Sequence, residues 1–97
     1  MTNTELLGGE VLRVSRGVAV RQEGSSALLH HARTDELHVV GPTGGYVLLL
    51  CDGVRTVEEV TDVLGSSITE NPELVRSRVQ EFLAAMIERG ILERSHD

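Results

Sequence analysis

The chain contains no tryptophan and no lysine, and only one tyrosine and one phenylalanine. With so few aromatics, any core must be aliphatic and built from Val, Leu and Ile. All nine bases are arginine; they are scattered, with no run of three, against fifteen acids, for a net charge of -6. The acids gather late: residues 51–97 hold ten acids and five Arg, residues 1–50 five acids and four Arg. A domain that grips a polyanion normally presents a basic face, so nucleic acid is not an expected partner. The single cysteine, Cys51, cannot form an internal disulfide, which suits a reducing compartment. The longest apolar run, Tyr46 to Cys51, is six residues, against about twenty for a membrane span. The first ten residues carry two acids, no base and no apolar run of signal length. The expectation is a cytoplasmic protein without membrane association.

What is present reads as one soluble domain. The 97 residues are 40% hydrophobic and 25% charged, which fits a globular α+β fold and not a disordered chain. Residues 1–10, with Gly8-Gly9, read as a flexible tail, and residues 11–97 as the domain. Val18-Ala19-Val20, Ala27 to His31 and Leu37 to Val40 are short strand-like runs separated by turn signals. They predict a three-stranded antiparallel meander, with Leu37 and Val39 on one face and His38 and Val40 on the other. Gly41-Pro42 ends it. The apolar stretch that follows fits a buried strand or a helix by periodicity alone; the short helix is preferred, as the most buried one, with Thr43 as N-cap and Asp52-Gly53 as its stop. Thr56 and Glu59 form a capping box for a second helix, with Val57, Val60, Val63 and Leu64 inward and Gly65 at its end. Asn71-Pro72 opens a third, along which Val75, Val79, Phe82, Leu83 and Met86 make one apolar face. Gly90 caps it, and Ile91-Leu92 tuck back onto the core.

No catalytic constellation stands out. The four histidines are His30, His31, His38 and His96. Adjacent strand positions point His30 and His31 to opposite faces. His30 and His38 could share a face near Cys51, but without CxxC or HxxxH spacing they read as ordinary strand histidines, and no metal is expected. Cys51, between Leu50 and Asp52, reads as an inert buried thiol. Glu58, Glu59 and Asp62 complement a helix N-terminus. Gly44-Gly45 lacks the Lys-Ser/Thr of a phosphate loop and reads as a pair that permits close packing or a tight entry turn. No cofactor is expected. A binding role fits better: Glu36 to Val40 is a candidate edge strand, with no Pro or Lys to block pairing by an extended guest.

The run Leu50-Cys51-Asp52-Gly53-Val54-Arg55-Thr56-Val57-Glu58-Glu59-Val60 resembles a stretch shared by the PqqD family, the small peptide chaperones of pyrroloquinoline-quinone biosynthesis. Leu37 to Thr43 before it, and Phe82-Leu83 with Glu88 to Leu92 after it, extend the likeness over residues 14–93. The resemblance implies a winged-helix-like domain with a three-stranded antiparallel sheet followed by three helices. It implies a non-catalytic role: binding the leader of a ribosomally made precursor peptide by strand addition and presenting it to a modifying enzyme, often a radical S-adenosylmethionine protein. Carried over, the peptide-binding residues are Leu37, His38, Val39 and Val40 on the strand, with Val75, Arg78, Val79 and Phe82 on the helix. Gly41, Gly44-Gly45 and His30-His31-Ala32-Arg33 depart from the usual family residues. They leave the pathway open to another product, such as a lasso peptide. Two alternatives accompany this reading: a winged-helix DNA-binding regulator, which the acidic charge opposes, and a small enzyme using Cys51 or a histidine. A homodimer joined through the same strand edge also stays open.

Overall fold

The computed structural model describes residues 6–67 and 71–95. In chain order the elements are β1 (Val11–Val14), β2 (Val18–Glu23), β3 (Ser26–His31), β4 (Glu36–Val40), α1 (Pro42–Leu50), β5 (Asp52–Thr56), α2 (Val57–Ser67), α3 (Pro72–Glu88) and β6 (Leu92–Arg94). The expected meander is β2-β3-β4, followed by three helices as anticipated. A second antiparallel sheet, ordered β5-β1-β6, was not foreseen. Its strands are three to five residues long and come from three distant parts of the chain, so no local pattern announces them.

Local chemistry explains most boundaries. The Thr56–Glu59 capping box is complete: Glu59 N–H donates to Thr56 Oγ1 at 3.1 Å and Thr56 N–H to Glu59 Oε1 at 2.9 Å. Asn71 Oδ1 accepts from Glu73 N–H at 2.9 Å, with Pro72 in the first turn. At the other end of α3, Gly90 N–H reaches the Ile87 carbonyl and Ile91 N–H the Met86 carbonyl, a Schellman pair. Gly90 has φ +75°, a conformation glycine adopts at no steric cost. Ile91 and Leu92 are fully buried, as the sequence suggested.

Four expectations are corrected. α1 begins at Pro42 with Gly41 as its N-cap, not Thr43, because proline's fixed φ suits the first helical position. α2 continues past Gly65 to Ser67; an exposed helical glycine costs only about 1 kcal/mol and need not end the helix. Asp52-Gly53 does more than stop α1. Asp52 Oδ1 accepts from the N–H groups of Val54 and Arg55, both at 2.9 Å, and Arg55 Nη1 meets Oδ2 at 2.7 Å, so the pair opens β5. The Arg55 and Val54 N–H bonds hold the Asp52 carboxyl below its usual range. Residues 6–10, assigned to the tail, are docked: Leu6 is buried, Val57 N–H bonds the Glu10 carbonyl and Glu58 N–H the Gly8 carbonyl. The rest of that segment, residues 1–5, and His96 lie outside the described residues.

The core is aliphatic, as the missing aromatics require. Leu12, Leu29, Val57, Val60, Leu64, Leu83, Ile91 and Leu92 are its most deeply buried members. They come from both sheets, α2, α3 and the turn after α3, so one core joins the two sheets. α1 is not buried on every side: Gly45, Val47, Leu48 and Leu50 face inward, while Tyr46 and Leu49 are exposed.

Candidate functional site

β4 pairs with β3 on one side only; among the described residues no strand occupies its other side. The hydrogen-bond phase shows which main-chain groups this leaves open. A two-residue turn, Gly24-Ser25, joins Glu23 to its partner Ser26, and Ala32 N–H bonds the Gly17 carbonyl at 2.8 Å. Both observations direct the main chain of Leu28 and His30 toward β2, and that of Ala27, Leu29 and His31 toward β4. Their β4 partners are Val40, His38 and Glu36. Leu37 and Val39 therefore aim their N–H and C=O groups outward, two donors and two acceptors on the open edge.

The β4 side chains alternate as the sequence suggested. Leu37 and Val39 are 63% and 73% exposed, while His38 and Val40 are half-buried on the face that carries the buried Ala27 and Leu29. His30, opposite Leu37, thus lies on the other face from His38, which removes the shared His30–His38–Cys51 site considered above. His30 instead holds Asp35 at 2.7 Å. Among the described residues no group of three potential ligands could hold a metal ion. Burial, reinforced by the neighbouring Asp52 charge, pushes the Cys51 thiol up to about 12. At neutral pH this keeps the thiol in its protonated form in the core.

Beside the open edge lies a groove of about 600 Å³. One wall is β4 and the other is α3, where Val75, Arg78, Val79, Phe82, Ala85, Met86 and Arg89 recur at helical spacing on a single face. The first turns of α1 form the floor. Gly44 packs closely there: a Cβ at this position would lie 3.2 Å from the Phe82 ring and 3.2 Å from Val40 Cβ, so a neighbour would have to give by a few tenths of an ångström. The close-packing role read from Gly44-Gly45 holds for this glycine.

Of the eight residues carried over by resemblance, Val39, Val40, Val75, Arg78, Val79 and Phe82 line the groove. Leu37 and His38 do not; Leu37 contributes main chain to the edge, and His38 faces the inner side of the sheet. Thr43, Val47, Leu64, Ala85, Met86 and Arg89 also line it and were not anticipated. Met86 and Arg89 continue the spacing of Val75, Val79 and Phe82, so extending that stripe by two turns would have found them. Nothing local marks Leu64, which arrives from α2.

Comparison with known proteins agrees with this geometry. The family model described as coenzyme PQQ synthesis protein D (PqqD) matches residues 26–92. The chain belongs to the PqqD family. A curated relative, the bifunctional coenzyme PQQ synthesis protein C/D of Methylorubrum extorquens, is 30% identical over 94 residues. That match takes in 94% of this PqqD-family chain but 24% of the relative, so the chain spans about a quarter of that protein's length. Among solved structures, the PqqD truncation of Methylobacterium extorquens PqqCD aligns with a TM-score of 0.75 at 26% identity. The alignment covers 94% of this chain and 97% of that one. Its description is a functional, stand-alone recognition element for ribosomally synthesised and post-translationally modified peptides. TbiB1 in complex with the TbiA(beta) leader peptide shares the fold, with a TM-score of 0.78 at 20% identity over 88% of this chain and 99% of that one. So does lasso peptide synthetase B1 complexed with its leader peptide, at 0.76 and 15% identity over 84% and 96%. Among the described residues no helix is long and apolar enough to cross a membrane.

Proposed function

We propose that this PqqD-family chain is a non-catalytic recognition domain that binds the leader segment of a ribosomally made precursor peptide and presents it to a modifying enzyme. The observation that carries the proposal is the open edge of β4, where Leu37 and Val39 face outward, running beside the apolar groove against α3. An extended guest can pair with those four main-chain groups while its alternate side chains enter the groove. Leu37 and His38 then act through strand geometry, and Val39, Val40, Val75, Arg78, Val79 and Phe82 through contact with the guest. Relatives with the same fold are described with leader peptides or as recognition elements, which supports this reading. The expected affinity is about micromolar or tighter, roughly -8 kcal/mol.

The fusion of the C and D units in the curated relative supports a working partnership with a peptide-modifying enzyme. A radical S-adenosylmethionine protein is one class of partner the proposal includes, and a reducing, cytoplasmic setting suits the single buried thiol. A DNA-reading role has little behind it: the chain has a net charge of -6 and its nine arginines are scattered.

Titration of isotope-labelled protein with the precursor's leader, followed by NMR, tests the proposal. Amide shifts concentrated on β4 and α3 are expected. Shifts confined to sheet β5-β1-β6, or saturable binding with an unperturbed β4, would overturn it. A concentration-dependent loss of the same β4 signals without peptide would identify a homodimer on this edge instead.

A further inference from the structure

Sheet β2-β3-β4 has two faces, and they differ in what covers them. Cross-strand partners share a face. On the inner face Ala27 and Leu29 are fully buried, opposite Val40 and His38. On the outer face two cross-strand rows run out to the open edge: Arg21, Leu28 and Val39 in one, Ala19, His30 and Leu37 in the other. Leu28, Leu37 and Val39 take no part in the core, and Leu37 and Val39 are exposed. Charges on this face are matched within the chain: Arg21 Nε lies 3.8 Å from Glu23 Oε1, and His30 holds Asp35. Each row therefore ends in an aliphatic side chain, and it belongs to a residue whose main-chain groups point off the sheet.

We infer that Leu37 and Val39 also select the guest through their side chains, and that the guest is an extended segment apolar on both of its faces, with β-branched residues where it meets these two. This rests on the strand-addition reading above and specifies what that edge takes. Bonds to the main chain of Leu37 and Val39 bring two guest residues into register with them. In a parallel or an antiparallel ladder alike, residues in register place their side chains on the same face. Those two guest residues thus stand two apart and face outward, whichever way the guest runs, while their neighbours face the groove. An apolar side chain there prolongs the row and covers the free side of Leu37 or Val39, and a β-branched one fits the pleated surface best. A polar side chain leaves that aliphatic surface in water. Groove and outer rows together call for a short continuous apolar run, not the alternating pattern of a strand buried on one face.

The test uses two fluorescein-labelled peptides in anisotropy titrations with the full chain. Both carry Gly-Ser-Asp at each end, around a centre of Val-Leu-Val-Leu-Val in one and Thr-Leu-Thr-Leu-Thr in the other. Each centre reads the same in both directions. Thr keeps the branching and strand preference of Val but adds a hydroxyl. The Val peptide is expected to bind the wild-type protein about fivefold tighter. Leu37→Thr combined with Val39→Thr keeps every outward N–H and C=O group, and should bring the two peptides within about twofold of each other. Each substitution alone should remove roughly half of the effect, leaving about a twofold preference. Both positions are exposed, and unchanged thermal unfolding confirms that the variants are folded. Amide shifts of β4 on adding the Thr peptide report strand addition separately.

Equal binding of the two peptides by the wild-type protein overturns the inference and leaves strand addition standing. So does a Val advantage that survives in the double variant, which would put the Val side chains in the groove. If neither peptide binds or shifts the β4 amides, strand addition and the inference fail together.

Discussion

The described residues form two antiparallel sheets of three strands each, and they treat their edges in opposite ways. In β5-β1-β6 one outer strand, β6, is three residues long and charged, and the other, β5, is irregular in its pairing. Glu93 and Arg94 occupy β6, where Arg13 pairs with Glu93 at 2.7 Å and Arg94 with Glu10 at 3.2 Å. β5 is out of register with β1 between Val11 and Arg13, where Gly53 at φ +82° opens an irregularity. Shortness, charge and a bulge are the usual means of keeping a sheet edge from pairing. β4 is as long as β5, at five residues, but it pairs regularly with β3, carries its one charge, Glu36, at its first position, has no Lys or Pro, and exposes Leu37 and Val39. A protein able to close one edge keeps the other open, and the open one borders the groove.

The comparison can be broken most sharply at Val39. Val39→Pro removes an outward N–H without touching the β3–β4 ladder. Leader binding should weaken by at least a hundredfold in calorimetric titration while the helical circular dichroism stays unchanged. His38→Pro, one residue away, should instead lose a ladder bond and disturb the sheet itself. Equal behaviour of the two variants would show that the edge phase is misassigned.

The second sheet predicts the opposite pattern. Leu12, in its central strand, is 2% exposed. Leu12→Ala should cost about 2–5 kcal/mol in denaturant unfolding, while the folded fraction keeps its affinity for the leader. A smaller effect comes from the groove floor. Gly44→Ala should push Phe82 or Val40 by a few tenths of an ångström and weaken leader binding about fivefold, with little change in melting temperature.

The smallest effect is a pH response seated at the junction of α1 and β5, away from the groove. Cys51 has its pKa raised in the folded protein from about 9 to about 12. Above pH 9 the unfolded chain releases the thiol proton and the folded chain does not. Stability from this group is thus complete below pH 9 and falls as pH rises toward 12. Cys51→Ala should flatten that alkaline loss in pH-dependent unfolding, and leader affinity at neutral pH should not change.

Much of this was legible in the amino-acid order, because much of it is local. The Thr56–Glu59 box, the Asn71-Pro72 start, the Gly90 stop and the alternation in Leu37 to Val40 each depend on a few neighbouring residues, and each is found in the fold. Six of the eight carried-over residues meet at the groove for a similar reason: a period of 3.6 on α3 and of 2 on β4 sets which side chains share a face. What the sequence by itself determined is thus an aliphatic α+β domain, its helix ends and the faces of its elements. Only the tertiary structure decided that Val11–Val14, Asp52–Thr56 and Leu92–Arg94 form a second sheet, that Leu64 from α2 reaches the groove, and that Leu37 and Val39 point outward. Those features depend on pairings between residues far apart in the chain. Short strands gain their stability from such partners, not from intrinsic preference.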